Sequence, residues 1–327
     1  MFEAVCKKSN FSILKKREFI IFILLLLEMG FFGLMNPGFF QVWNLMTILQ
    51  NSVDLAVIAA GMTLLMILGG IDISVGSLQG VIAIIVAWMI QGGHGLFMIL
   101  LGALFIGCLG GMLNGLIVAY GKVPPIIATL GTGNILRALI FGMLGGTWIT
   151  GIDPTLEFLN TRLFGWLPSV IIIIVAVYIV FWYFTNYTRL GRAIYAVGNN
   201  PEASYLSGIN VRYVKVVAHA IIGLLTGVAS LTYIARMGSV EMSVGGTLPI
   251  QAIAATVVGG TSVTGGKGSI IGTLVGVLFI NVLQNGILLL GIPSMMEWAI
   301  IGFFIIISVS FDLLGARRKT ADERLEA

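Results

Sequence analysis

The sequence predicts an all-α membrane protein: a polytopic bundle of about ten transmembrane helices, some of them broken, with both termini in the cytoplasm. Three observations carry that expectation. Of the 327 residues, 58% are hydrophobic and only 10% charged, against about 45–50% and about 25% in a soluble domain; the mean hydropathy is +1.04. Apolar runs of about 20 residues recur along the chain, the length that crosses a bilayer. Glycine is abundant, with 43 residues, and small residues let membrane helices approach closely and let them break. This composition excludes a soluble globular enzyme, a disordered chain and a fibrous protein.

Lys7, Lys8, Lys15, Lys16 and Arg17 precede the apolar run 19–27. A secretory signal has the same order, but no small-x-small cleavage site follows, so the segment reads as an uncleaved first span. The spans are expected at roughly 18–36, 52–70, 73–91, 97–119, 125–146, 167–187, 213–235, 247–263, 269–290 and 294–314. That makes 18–314 one transmembrane domain between cytoplasmic segments 1–17 and 315–327, with one long polar loop at about 187–212. Both termini inside leaves 15 of the 18 basic residues on the cytoplasmic side. Only Arg162 and Arg236 fall in outer loops, and Arg137 falls in the fifth span. Such asymmetry is the usual topological signal. It also removes nucleic acid as a partner, since the positive charges stand beside membrane lipid. The two cysteines, Cys6 and Cys108, suggest no disulfide framework.

Charged groups in or near the spans call for a role, because an ionised side chain at mid-bilayer costs at least about 2.5–3.5 kcal/mol. Glu28 is mid-span. Asp54 and Glu297 near outer ends, and Asp312 near an inner end, are expected to snorkel to the interface. Arg137 is deeper, suited either to pairing with a carboxylate or helix C-terminus or to lining a pathway. Asp72 sits in Gly69-Gly70-Ile71-Asp72-Ile73-Ser74-Val75-Gly76-Ser77. Backbone freed at such a break must be satisfied by protein or cavity water. Asp72 and Ser74 therefore read either as caps of the next helix or as part of a discontinuous helix facing a pathway.

A second break, Gly259-Gly260-Thr261-Ser262-Val263-Thr264-Gly265-Gly266-Lys267-Gly268-Ser269, is superficially like a phosphate loop. It fails the Walker A spacing, with Thr261 in place of the first Gly and Gly268 in place of Ser/Thr. The chain is therefore expected to carry no ATPase of its own. The histidines, His94 and His219, have no nucleophile or carboxylate cluster around them in sequence, so neither metal nor nucleophilic chemistry is indicated. The candidate pathway groups, Asp72, Ser74, Ser77, Asn114, Thr129, Thr132 and Asn134, with Asn281, Gln284 and Asn285 farther on, are mostly neutral. They suit a neutral polyhydroxylated solute, and equally helix–helix hydrogen bonds worth about 0.6 kcal/mol each.

The polar loop has readable caps. Asn200 can cap a short helix, with Pro201 at its first position and Glu202 at the positive end of the dipole. Gly208 then ends it. A short helix over about 201–207 with no core of its own is a docking element. Thr188, Gly191, Arg192, Ala196, Gly198, Asn200, Ala203, Gly208 and Ile209 match the pattern T-x-x-G-R-x-x-x-A-x-G-x-N-x-x-A-x-x-x-x-G-I. In this the chain resembles the monosaccharide (ribose-type) permease family of bacterial ABC importers. The stretches 70–77, 123–132 and 254–269 resemble the same family, so the likeness spans about residues 50–312. Gly145-Gly146-Thr147-Trp148-Ile149 looks most like the rhamnose and autoinducer branch. Pro125 and Ser204 depart from the family pattern, the latter within the docking helix.

The resemblance implies a permease subunit of the bacterial inner membrane that carries a monosaccharide or small polyol and binds no cofactor itself. A cytoplasmic ABC ATPase would bind the ATP and dock on Gly191, Arg192, Gly198, Asn199, Asn200, Pro201, Glu202, Ala203 and Gly208. A periplasmic or surface-tethered sugar-binding protein would deliver substrate to outer loops around 37–50, 147–166 and 236–247. A second permease, identical or a sister subunit, would complete the pathway. The alternatives are an ion-driven secondary transporter using Asp72 or Arg137, a membrane-embedded enzyme, and an ABC permease for branched-chain amino acids.

Overall fold

A computed structural model describes residues 17–293 and six further positions between 296 and 306. The chain runs through α1 (Arg17–Met35), α2 (Val42–Ile67), α3 (Val75–Gln91), α4 (Leu96–Ala119), α5 (Pro125–Leu144) and α6 (Val170–Tyr187). It continues with α7 (Arg189–Asn199), α8 (Pro201–Leu206), α9 (Val211–Met237), α10 (Leu248–Val258) and α11 (Ile270–Leu289). Between α5 and α6 lie a 3-10 turn, Pro154–Asn160, and a two-residue antiparallel hairpin pairing Arg162 with Pro168 and Leu163 with Leu167.

Seven of the described helices are long and apolar enough to cross a membrane: α1, α2, α4, α5, α6, α9 and α11. The expected third and eighth spans are shorter apolar helices, α3 with 17 residues and α10 with 11. At 1.5 Å per residue they reach about 26 and about 17 Å, short of a ~30 Å hydrocarbon core. Each adjoins a glycine-rich break, so broken helices are part of the architecture. Most of the expected tenth span lies outside the described residues, as do Glu297 and Asp312.

Two boundaries differ from expectation because residues find partners inside the bundle. The second span was expected from 52, but α2 begins at Val42. Asn44, 3% exposed, exchanges hydrogen bonds with Asn285 of α11 at 2.9 and 2.8 Å. The loop expected over 37–50 is thus mostly helix. The polar stretch 187–212 holds a second helix, α7, before the short one. Thr188 caps it by accepting from the Gly191 N–H at 3.0 Å, and Ile194 and Val197 are fully buried against Leu64, Ile67 and Val214. Their spacing is a helical stripe.

The core gathers around α2, whose residues from Ser52 to Ile67 are all buried, against α6, α9, α10 and α11. Beside it α4 and α9 cross at backbone contact. A Cβ on Gly107 would stand 2.3 Å from the Gly223 carbonyl oxygen, and one on Gly111 2.0 Å from that of His219. This small-xxx-small packing fills space where lipid supplies no hydrophobic drive. The opposite face of α4 exposes Phe97, Leu101, Phe105 and Leu113, as a lipid-facing surface does.

Candidate functional site

Between α2 and α3 the break is knotted by side chains. Asp72 Oδ1 accepts from the Ser74 N–H at 2.8 Å and from the Ser74 hydroxyl at 2.6 Å. Asn114 Nδ2 donates to Asp72 Oδ2 at 3.2 Å and to Ser74 Oγ at 2.7 Å. Thr129 Oγ1 on α5 accepts from the Ile73 N–H at 3.1 Å and lies 2.8 Å from the Pro125 carbonyl to which it donates. Asp72, Ser74, Asn114 and Thr129 are all 2% exposed or less. Asp72 thus makes the turn that starts α3, and the Ser74 hydroxyl makes no capping bond. Of the other expected pathway residues, Ser77 is buried one turn into α3, Thr132 is half-buried and donates to the Thr129 carbonyl at 3.3 Å, and Asn134 is exposed. His219 is buried in α9, with Nδ1 2.8 Å from the Lys215 carbonyl oxygen.

A different polar site lies nearer the start of α2. Arg236 donates to Asp54 Oδ2 at 2.6 Å and to Asn51 Oδ1 at 2.8 Å. Thr232 donates to Asp54 Oδ1 at 2.7 Å. Asp54 is 5% exposed, so it does not snorkel; its counter-ion is Arg236, which sits in the last turn of α9 rather than in an outer loop. Sequence alone could not pair them, because they stand 182 residues apart. The pair walls a cavity of about 160 Å³, lined also by Gln79, Tyr233, Thr247, Gln251, Asn281 and Gln284. Asn281 and Gln284 were expected pathway groups. Gln79, Tyr233, Thr247 and Gln251 were missed, although Gln79 lies inside apolar α3 and Gln251 is the lone amide of α10. Arg137 pairs with neither a carboxylate nor a helix end. Its guanidinium donates to the Met242 and Val244 carbonyls at 3.1 and 2.9 Å, fastening the loop whose Gly245 and Thr247 line the cavity.

At the other end of α2, α7 meets the last residue of α2 and the second glycine-rich break. Gly198 lies so close to α2 that a Cβ there would stand 1.8 Å from the Ile67 carbonyl oxygen. That oxygen also accepts from the Gly266 N–H at 2.8 Å. The Tyr195 hydroxyl donates to the Gly268 carbonyl at 2.9 Å, and burial, then the nearby Glu18 charge, pushes its phenol pKa up. Gly191 abuts Phe184 and Thr185, Arg192 donates to the Tyr187 carbonyl at 3.2 Å, and Asn199 abuts Gly266. Asn200 Oδ1 accepts from the Ala203 N–H at 2.9 Å, with Pro201 first in α8 and Glu202 in its first turn. The helix ends at Leu206, one residue before the expected boundary, and Gly208 follows with φ of 84°. Glu202, Tyr205 and Leu206 are exposed, the last two at 71 and 80%. Among the described residues no cluster of His, Cys, Asp or Glu could hold a metal ion.

Residues 44–309 match the family described as branched-chain amino acid transport system / permease component. The chain belongs to this permease family. It is 37% identical over 299 residues to the ribose import permease protein of Escherichia coli, covering 89% of this chain and 92% of that protein. It is 38% identical over 319 residues to the corresponding Haemophilus influenzae protein, covering 95% and 98%. An autoinducer 2 import system permease protein of Photorhabdus laumondii is 30% identical over 302 residues, covering 90% and 89%. No solved structure matches. As a permease component with seven membrane-length apolar helices, the chain is a multi-pass protein of the inner membrane. The family expectation read from residues 188–209 is borne out.

Proposed function

We propose that this permease is the membrane-spanning subunit of a bacterial ABC importer for a monosaccharide or related small polyol, driven by a separate ATPase. The observation that carries the reading is its likeness, over about nine-tenths of the chain, to permeases named for ribose and autoinducer 2 import. The family's own description names branched-chain amino acids. Such a cargo brings an ammonium and a carboxylate, whereas the cavity's Asp54 and Arg236 already neutralise each other. That pairing favours a neutral cargo.

In this reading both termini face the cytoplasm and ten spans form the domain 18–314. The ATPase docks on the exposed face of α8, around Glu202, Tyr205 and Leu206, and binds ATP without any cofactor in the permease. Movement of α8 carries α7 with it. The contact of Gly198, Ile67 and Gly266 then passes the displacement to both breaks together, a rigid-body coupling. A sugar-binding protein delivers cargo to the segments around 36–41, 145–169 and 238–247. A second permease, identical or a sister subunit, completes the pathway.

The test is uptake and co-purification of the ATPase with Glu202→Lys and Gly208→Trp variants. Glu202→Lys should fold normally and Gly208→Trp should keep the bundle with local strain at its left-handed backbone, both with uptake at least about tenfold lower and the ATPase lost from the complex. Tenfold corresponds to about 1.4 kcal/mol of docking energy. Normal uptake in both variants would contradict docking at α8.

A further inference from the structure

The cavity between α2, α3, α9, α10 and α11 is polar, with the opposite charges of Asp54 and Arg236 paired in its wall. We propose that it is a sugar-binding station inside the permease, so that the membrane subunit selects among sugars in addition to any binding protein. The inference rests on the importer reading above and adds a site to it.

Size is the first argument. A closed cavity of about 150 Å³ holds one benzene, six heavy atoms; this one measures about 160 Å³ and is open on one side, so a pentose, with ten heavy atoms, sits with part of its ring inside and part projecting through the opening. Chemistry is the second. Each hydroxyl of a sugar both donates and accepts, and the side-chain amides of Asn51, Gln79, Gln251 and Gln284 carry both functions, although the Asn51 oxygen already accepts from Arg236 and the Gln79 amide already donates one bond to the Ala229 carbonyl. An unpaired carboxylate would favour cations, but Asp54 has both oxygens committed, to Thr232 and to Arg236. Arg236 Nε, by contrast, is buried with no hydrogen-bond partner. That leaves one donor of the pair uncommitted, which a hydroxyl reaches only if the pair shifts as cargo enters. Shape is the third. Tyr233, Leu55 and Leu248 bring apolar surface to the same cavity, suited to the C–H face of a sugar ring.

Position gives the site a use. Asp54 lies 13 residues before Ile67 on α2, about 20 Å along the helix axis, so cargo and α7, the helix that leads into the docking helix, contact opposite parts of one rigid element. The two short helices beside the breaks, α3 and α10, both line the cavity through Gln79 and Gln251. A displacement of the breaks therefore reshapes the station.

The experiment uses the complete transporter, with its ATPase and binding protein, in proteoliposomes. Radiolabelled pentoses and hexoses, D-ribose among them, are screened with the unaltered protein, and then Asn51→Ala, Gln251→Leu and Gln284→Leu are compared. The readout is the ratio of uptake between the transported sugar and analogues, epimeric or lacking one hydroxyl, that also enter. A folding defect lowers all sugars together and leaves the ratio alone, and the binding protein is the same throughout. A station in the cavity shifts that ratio at least about threefold in one or more variants. Ratios equal to the unaltered protein's in all three would overturn the station and make the cavity a water-filled gap, with the importer reading intact. No import of any monosaccharide by the unaltered complex would overturn the importer reading itself.

Discussion

Asp72 and Asp54 are both buried, 18 residues apart, and the bundle neutralises them in opposite ways. Asp72 is satisfied by neutral donors, two of them on its neighbour Ser74 and one on Asn114. Asp54 is satisfied by a guanidinium and a hydroxyl that arrive from α9. The first arrangement builds backbone: it fixes the turn between two helices. The second builds a surface, because an ion pair closed on itself gives a polar wall with no net charge. A carboxylate inside a membrane protein therefore says little until its partner is known, and the partner decides between scaffold and site.

The largest effect separating the two is expected from Arg236→Leu. It strands a buried carboxylate, and breaking a buried pair from one side costs about 3–5 kcal/mol; with the Arg236 side chain 20% exposed, about 3 kcal/mol is expected. Thermal unfolding in detergent measures it. The double variant Asp54→Leu with Arg236→Leu should recover part of the loss, and a double variant as unstable as the sum of its parts would remove the ion pair from the account.

Asp72→Asn is expected to cost less, about 1–2 kcal/mol. The turn survives, since an amide oxygen still accepts from the Ser74 N–H. The new amide, however, puts an N–H group against Asn114 Nδ2, which must rotate and release Ser74. A loss larger than that of Arg236→Leu would reverse the comparison. Smallest is Thr129→Val, at about 1 kcal/mol. It leaves the Ile73 N–H without its acceptor, and its effect should shrink when Asp72→Asn has already loosened the turn.

This contrast also explains what the sequence revealed. Asp72 was legible because its partner Ser74 is two residues away inside a glycine-rich break, and Asn200-Pro201-Glu202 was legible because a cap is a local pattern. Nine of the expected spans correspond to apolar helices for the same reason. Asp54 was misread as a snorkelling end residue because its partner lies 182 positions on. The start of α2 was misplaced because Asn44 finds Asn285 in another helix. Helix α7 was read as loop because hydropathy marks lipid contact, while Ile194 and Val197 pack on protein. The cavity was the least legible feature, since five helices contribute to it and none announces which face it turns inward.

The most direct test of the importer account is uptake into proteoliposomes holding the permease with its co-purified ATPase and binding protein. The account expects labelled sugar to accumulate only with ATP on the side of α8 and with both partners present. Equal accumulation by the permease alone, under an ion gradient and without ATP, would contradict it and return Asp72 and Arg137 to consideration as ion carriers.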